Sequence, residues 1–208
     1  MTTITILTGP QGAGNHLFSK IFDLHPAVSG WKGINEGKYL GHDQEPYYEI
    51  WNDPSAIDLI DWSKEHHVIS ISCPYVSEGL NYFPNYCNVV EKLQSKGFKV
   101  QIAIIGRDQN ILAKQQYRVR GKKTTDDFTQ FVSYLTALPH TFLSQELLYL
   151  YKHNYIRSIG KQLGIPVCDD DRFSAILEND ANNKYITTVT EVQELDKEVW
   201  RASKFNDH

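Results

Sequence analysis

The sequence predicts an α/β fold of three layers, a mostly parallel central sheet sandwiched between helices. Three observations carry this. Apolar and β-branched runs at Thr3–Thr8, Val68–Ser72 and Phe98–Ile105 read as strands buried on both faces, as in a parallel sheet. Segments with apolar residues at helical spacing lie between them, as parallel crossovers require. A Gly-rich turn joins the first strand directly to the first helix. With 208 residues and no repeat or low-complexity tract, residues 1–208 are expected to form a single domain.

The first strand leads into Gly9–Pro10–Gln11–Gly12–Ala13–Gly14–Asn15–His16, and Leu17, Ile21 and Leu24 then mark a helix at i, i+4 and i+7. Strand, tight turn and helix make an anion site, because backbone N–H groups of the turn and first helical turn converge without internal partners. The spacing is that of a Walker A loop, G-x-x-x-x-G-K-[ST], so the fold is read as P-loop-type. Asn15 stands at the Lys position and His16 at the hydroxyl position. Asn cannot supply the Lys point charge, and His is a poor ligand for Mg²⁺. The loop is therefore expected to hold a phosphate without ordinary ATP hydrolysis.

His25–Trp31 has room for a short second strand after Pro26 sets the helix exit. Lys32–Asn52 lacks clean periodicity over about 20 residues and reads either as a functional loop above the sheet or as a stretch holding short elements that its pattern does not mark. Its Glu36, His42, Asp43 and Glu45 are acid–base candidates, each individually read as a solvated loop residue. Asp53–Pro54 opens a helix expected to reach about Lys64. His66 and His67 adjoin the third strand on opposite faces and so do not converge on a metal. A loop is expected from Cys73 to Pro84, with Tyr75, Glu78, Tyr82 and Tyr86 lining a substrate mouth or forming an amphipathic surface; the surface reading is preferred. A helix over Tyr86–Lys96 ends at Gly97.

The strand Phe98–Ile105 runs into Gly106–Arg107–Asp108, which puts an Arg at the carboxyl end of a central strand, where open sheets bind ligands. Asn110–Gln116 reads as helix, and Arg118–Lys123 as a solvated basic turn. With helix between them, Arg107 and Arg118 lie roughly 15 Å apart along its axis and share a side. Thr124–Asp127 is a cap for a helix with Phe128, Phe131, Val132, Leu135 and Leu138 inward. Thr141–Ser144 is the last parallel strand. The next helix, Gln145–Gln162, is expected to bury Leu148, Tyr151, Tyr155, Ile159 and Leu163, with Gly164 ending it. Asp169–Asp171 is an acidic turn or cap, without the spacing of a calcium loop. Glu191–Trp200 reads as a last amphipathic helix.

The formal net charge of −4 argues against bulk electrostatic binding to nucleic acid or to an anionic membrane. Cys73, Cys87 and Cys168 are too few and too scattered for a disulfide framework or a zinc site, and no metal is expected. The first apolar segment lacks the basic flank of a secretory leader, and no run reaches membrane-spanning length. A cytoplasmic protein is the expectation; oligomeric state is left open.

The arrangement resembles the sulfotransferase family, which transfers a sulfonate from 3′-phosphoadenosine 5′-phosphosulfate (PAPS) to a hydroxyl or amine. Pro10, Gly12–Phe18 and His25–Pro26 are similar to its 5′-phosphosulfate loop, Arg107–Gln115 to its 3′-phosphate motif, and Thr141–Leu148 with Leu163–Pro166 to its third signature. The resemblance touches residues 3 to 166. It implies PAPS as cofactor, with Gln11, Gly12, Ala13, Gly14, Asn15, His16 and Leu17 on the phosphosulfate, and Arg107, Gln115 and Arg118 about the 3′-phosphate. It also implies a small-molecule or carbohydrate acceptor.

Several positions depart from the pattern. Gln11 or Gly12 replaces the family's basic loop residue, Asn15 its Thr, and Gln115 its Ser, while Ser72 or Cys73 occupies the place of its catalytic His. The basic C-terminal loop is not evident. His16 at the helix N-terminus, Glu36 and His42 are the candidate groups for the missing chemistry. The alternatives are a nucleotide-binding protein without sulfotransferase activity and a divergent P-loop kinase.

Overall fold

The computed structural model describes residues 1–30, 44–77, 80–168 and 171–178. In chain order the elements are β1 (Thr3–Pro10), α1 (Asn15–Phe22), β2 (Val28–Ser29), α2 (Glu49–Asn52), a 3-10 turn over Pro54–Leu59 and β3 (His66–Cys73). Next come β4 (Tyr75–Ser77), β5 (Leu80–Tyr82), α3 (Tyr86–Ser95), β6 (Lys99–Gly106), α4 (Gln109–Arg120) and α5 (Thr125–Ala137). β7 (His140–Ser144), α6 (Gln145–Leu163) and α7 (Arg172–Glu178) complete the described chain.

The sheet has five strands in the order β2-β3-β1-β6-β7, and every pairing in it is parallel. β1 is central and buried along its whole length. Its alternating side chains divide between two cores, as the period of two in a strand requires. Ile4 and Ile6 join Ile69, Ile71, Ile102 and Ile104 on one face, under α3 and α5 with Trp51 and Ile57. Leu7 joins Val68, Ala103 and Ile105 on the other, under α1, α6 and α7. The three-layer α/β architecture expected from the sequence is therefore observed.

The topology creates a crevice at the carboxyl ends of the strands. From β1 the chain crosses towards β2, and from β6 it crosses the opposite way towards β7. The crevice between the carboxyl ends of β1 and β6 is thus a switch point of the kind open sheets use for binding. The strands meet there at close quarters: a Cβ on Gly9 would stand 2.6 Å from the carbonyl oxygen of Ile105.

Several boundaries differ from those read in the sequence. The segment after Asp53 forms only the 3-10 turn, because Ile57 alone among its residues is buried while Leu59 is 88% exposed. Asp53 does accept from the Ser55 N–H as its cap. Within the expected loop 73–84, β4 and β5 form an antiparallel hairpin after a cis Cys73–Pro74 peptide. Tyr75 and Tyr86 are core residues rather than surface aromatics, and Tyr82 is partly exposed. The basic Arg118–Arg120 stretch is the last turn of α4, not a separate turn; Gly121 ends it at φ 70°. In α6 the backbone breaks at Lys152, with φ 45° and ψ −122°, so the helical phase shifts and Tyr151 is exposed instead of buried. α7 was not anticipated; Phe173 and Leu177 bring it onto α1 and the second core. The helix expected over Glu191–Trp200 lies outside the described residues, as do Asp169 and Asp170.

His66 and His67 do face opposite ways, and His67 is fully buried among Trp62 and Tyr47, its Nδ1 sharing a hydrogen bond of 3.1 Å with the Tyr47 hydroxyl. Burial pushes the His67 pKa below its ordinary value, and the same cause lowers that of His66. The unfolded chain then binds more protons than the native one once the pH falls below about 6.5. Stability is complete above that pH and is lost as it falls towards the depressed native values. Thermal unfolding followed by circular dichroism is expected to show Tm dropping across this range, with a shallower acid limb in His67→Gln.

Candidate anion site at the carboxyl end of the sheet

The loop after β1 turns on two glycines. Gly12 has φ 88° and Gly14 φ 110°, both in the left-handed region open to glycine. The Ala13 N–H closes the turn on the Pro10 carbonyl at 3.0 Å, and Gly14 is the N-cap of α1. The first N–H groups of α1 therefore start at this loop, with the positive end of the helix dipole. Leu17 and Ala13 are buried in the second core, so their side chains anchor the loop and only their backbone can reach a ligand.

Side chains from later elements fix this loop from outside. Gln116 on α4 is fully buried. Its Nε2 donates to the Gln11 carbonyl at 2.8 Å, and its Oε1 accepts from the Thr124 N–H at 2.8 Å and the Thr125 hydroxyl at 3.3 Å. Thr124 spends its hydroxyl on Gln11 Oε1 at 3.2 Å, which is why it is the N-cap of α5 by position without a capping side-chain bond. Arg107, just beyond β6, donates from Nη1 to the Gly12 carbonyl at 2.9 Å and to Gln115 Oε1. Gln115 in turn lies against Gly12, where an added Cβ would meet it at 3.1 Å. Arg107, Gln115 and Gly12, distant in sequence, are thus one cluster at the switch crevice. Arg118 is exposed on the last turn of α4.

Asn15 carries out different work from a loop lysine. Its Nδ2 donates to the Ile71 carbonyl at 2.9 Å and to the Ser72 hydroxyl at 3.2 Å, tying α1 to the end of β3. Its donors are therefore committed to protein groups, while Oδ1 is buried without a partner. Cys73, beside Ser72, cannot act as a base: burial pushes its thiol up to about 12, so it stays protonated at neutral pH.

Two residues enter the site with roles not read from the sequence. Gln145, the first residue of α6, is 2% exposed and both its amide atoms lack a hydrogen-bond partner. Its Nε2 lies 3.2 Å from where a Cβ on Gly14 would stand. Leaving such a group unpaired costs about 1–3 kcal/mol, which marks the position as a candidate ligand contact. Its only sequence signal was a polar residue at the start of a helix directly after a strand.

Glu45 is the second. It is 5% exposed rather than solvated. Its Oε1 lies 2.6 Å from His16 Nε2, and its Oε2 accepts from the Ser70 hydroxyl at 3.3 Å. Glu36, His42 and Asp43 lie outside the described residues. Among the described residues no group of three or more His, Cys, Asp or Glu side chains is placed to hold a metal ion. No described helix is long and apolar enough to cross a membrane.

No family model matches the chain, and no curated protein matches it in sequence. Among solved structures it is similar to mouse sulfotransferase SULT7A1 complexed with PAP, with a TM-score of 0.46 and 12% identity. The match covers 85% of this chain and 63% of that one, so this chain spans less than two thirds of that protein's length.

Gln116→Leu keeps the volume but strips the Gln11 carbonyl and the Thr124 N–H of their buried partner. Urea denaturation is expected to show a loss of roughly 1–3 kcal/mol, with an unchanged slope. Gln130→Leu, on the exposed side of α5, is expected to stay within about 0.5 kcal/mol of wild type.

Proposed function

We propose that this chain binds PAPS at the β1–α1 loop and transfers its sulfonate to a hydroxyl or amine acceptor of the small-molecule or carbohydrate class. The observation that carries the reading is the meeting of a left-handed glycine loop, the N-terminus of α1 and the Arg107 guanidinium at the β1–β6 switch crevice. Those are an anion cradle and a fixed positive charge, side by side, where an open sheet binds nucleotides.

The residues present fit the group. The N–H groups of the loop and of the first turn of α1 would receive the 5′-phosphosulfate. The buried, unpartnered Gln145 amide beside Gly14 supplies a further donor in place of the absent loop lysine. Arg107, with Gln115, would hold the 3′-phosphate; its guanidinium is held in a fixed orientation by the Gly12 carbonyl and Gln115 Oε1. PAPS supplies the sulfur that the acceptor attacks and a phosphate leaving group.

One observation favours a second reading, a nucleotide-binding protein without transfer. Asn15 spends its donors on β3 and the Cys73 thiol stays protonated, so two positions that could carry chemistry are structural. A kinase is less well served, since Asn15 and His16 offer MgATP neither the lysine charge nor the hydroxyl ligand.

Calorimetric titration tests the binding claim. Adenosine 3′,5′-bisphosphate is expected to bind more tightly than AMP or MgATP. Arg107→Ala is expected to weaken the bisphosphate by roughly 10–100-fold, the equivalent of one lost charged hydrogen bond, and to weaken AMP, which lacks the 3′-phosphate, by less. Equal affinity for AMP and the bisphosphate in wild type, or no binding of either, overturns the reading.

A further inference from the structure

We propose that His16 and Glu45 form the proton-accepting pair of the transfer site, with His16 Nδ1 as the base and Glu45 as its positioning residue. This rests on the sulfonate-transfer reading and adds the acid–base step that reading lacks.

The geometry begins with the buried carboxylate. Glu45 has a side chain 2% exposed, whereas that of His16 is 33% exposed, so one member is sunk in the protein and the other meets the surface. Their contact, Nε2 to Oε1 at 2.6 Å, spans a sequence separation of 29 residues. A carboxylate accepts and does not donate, so the hydrogen of the contact belongs to His16 Nε2. The lone pair of the neutral ring is then on Nδ1. The second carboxylate oxygen is held by the Ser70 hydroxyl on β3, which fixes the plane of the carboxylate and hence that of the ring. This is the logic of a base oriented by a third group, here resting on the central sheet.

Position supports the assignment. His16 is the second residue of α1, in the turn of helix whose N–H groups face the proposed phosphosulfate. Asn15 beside it is locked to β3, and Cys73 holds its proton, so among the groups at the carboxyl end of β3 neither competes as base. In the step, the acceptor oxygen forms a bond to sulfur while its proton passes to His16 Nδ1. The bond from sulfur to the bridging phosphate oxygen breaks, and its electron pair leaves on adenosine 3′,5′-bisphosphate. The imidazolium so formed stays paired with the Glu45 carboxylate until the proton is released to water.

Two measurements on the full chain test this, with PAPS alone as probe and water as acceptor. The first is a nitrogen-15 spectrum of the histidine rings in the ligand-free protein at mildly alkaline pH. His16 is expected as a single tautomer protonated on Nε2; Glu45→Gln, whose amide can donate as well as accept, is expected to lose that preference. A wild-type His16 protonated on Nδ1, or a mixture of tautomers, overturns the proposal. The second is sulfate release from PAPS. His16→Gln is expected to lower kcat by roughly 100-fold or more. Glu45→Gln is expected to lower kcat by roughly 10-fold or more with KM nearly unchanged, and Glu45→Asp to recover part of the loss. Calorimetric affinity of Glu45→Gln for adenosine 3′,5′-bisphosphate is expected to stay near wild type.

The two ideas fail differently. If wild type does not bind the bisphosphate, the nucleotide reading falls and takes the step with it. If the bisphosphate binds but sulfate release in wild type does not exceed the buffer rate, or is unchanged in both Gln variants, the pair alone is overturned.

Discussion

The site depends on one buried amide. Gln116 holds the Gln11 carbonyl through its nitrogen and the start of α5 through its oxygen, so one side chain of α4 joins both the β1–α1 loop and α5. A glycine-rich loop has more backbone freedom to lose on folding than any other segment. Here that loss is offset by bonds made to the loop backbone from outside: Gln116 on Gln11, and Arg107 on Gly12. The loop is consequently preorganised, with its Pro10, Gln11 and Gly12 carbonyls engaged by protein groups and α1 starting directly after Gly14.

The same economy explains the unusual residues at the Walker A positions. Asn15, where a lysine would reach a phosphate, bridges instead to β3 and fixes the angle at which α1 leaves the loop. His16, where a hydroxyl would meet Mg²⁺, is bound to a buried carboxylate. The loop keeps its left-handed glycine geometry, and the Arg107 guanidinium reaches its Gly12 carbonyl from the neighbouring strand end. A buried carboxylate is tolerated here because both its oxygens have partners, which is the condition under which a buried charge persists.

Much of this architecture was legible in the residues. Thr3–Thr8 and Phe98–Ile105 are unbroken apolar or β-branched runs, and a strand buried on both faces has no other pattern to show. Gly97 and Gly164 mark two helix ends, each at positive φ, whereas the end of α4 at Gly121 lies beyond the helix read over Asn110–Gln116. The elements that escaped were those whose stability is not local. The β4–β5 hairpin has six strand residues of which all of β5 is exposed, so no alternation marked it. α7 is short and is held by Phe173 and Leu177 against α1. Tyr151 followed helical spacing from Leu148, and the break at Lys152 removed it from the core.

By itself the sequence determined the layer order of the fold, the glycine turn between β1 and α1 and the placing of Arg107 at a strand end, because each is encoded within a few consecutive residues. Only the tertiary structure decided what surrounds that loop. Glu45 was one of several acidic residues in an aperiodic stretch, and its burial brings it against His16 on α1 and Ser70 on β3, both distant in sequence. Gln145 and Gln116 were ordinary polar residues on helices until packing brought one against Gly14 and the other under Gln11. Periodicity reports which face of an element is apolar; which polar side chains share a buried site is set by contacts between elements distant in sequence, and no local pattern carries that information.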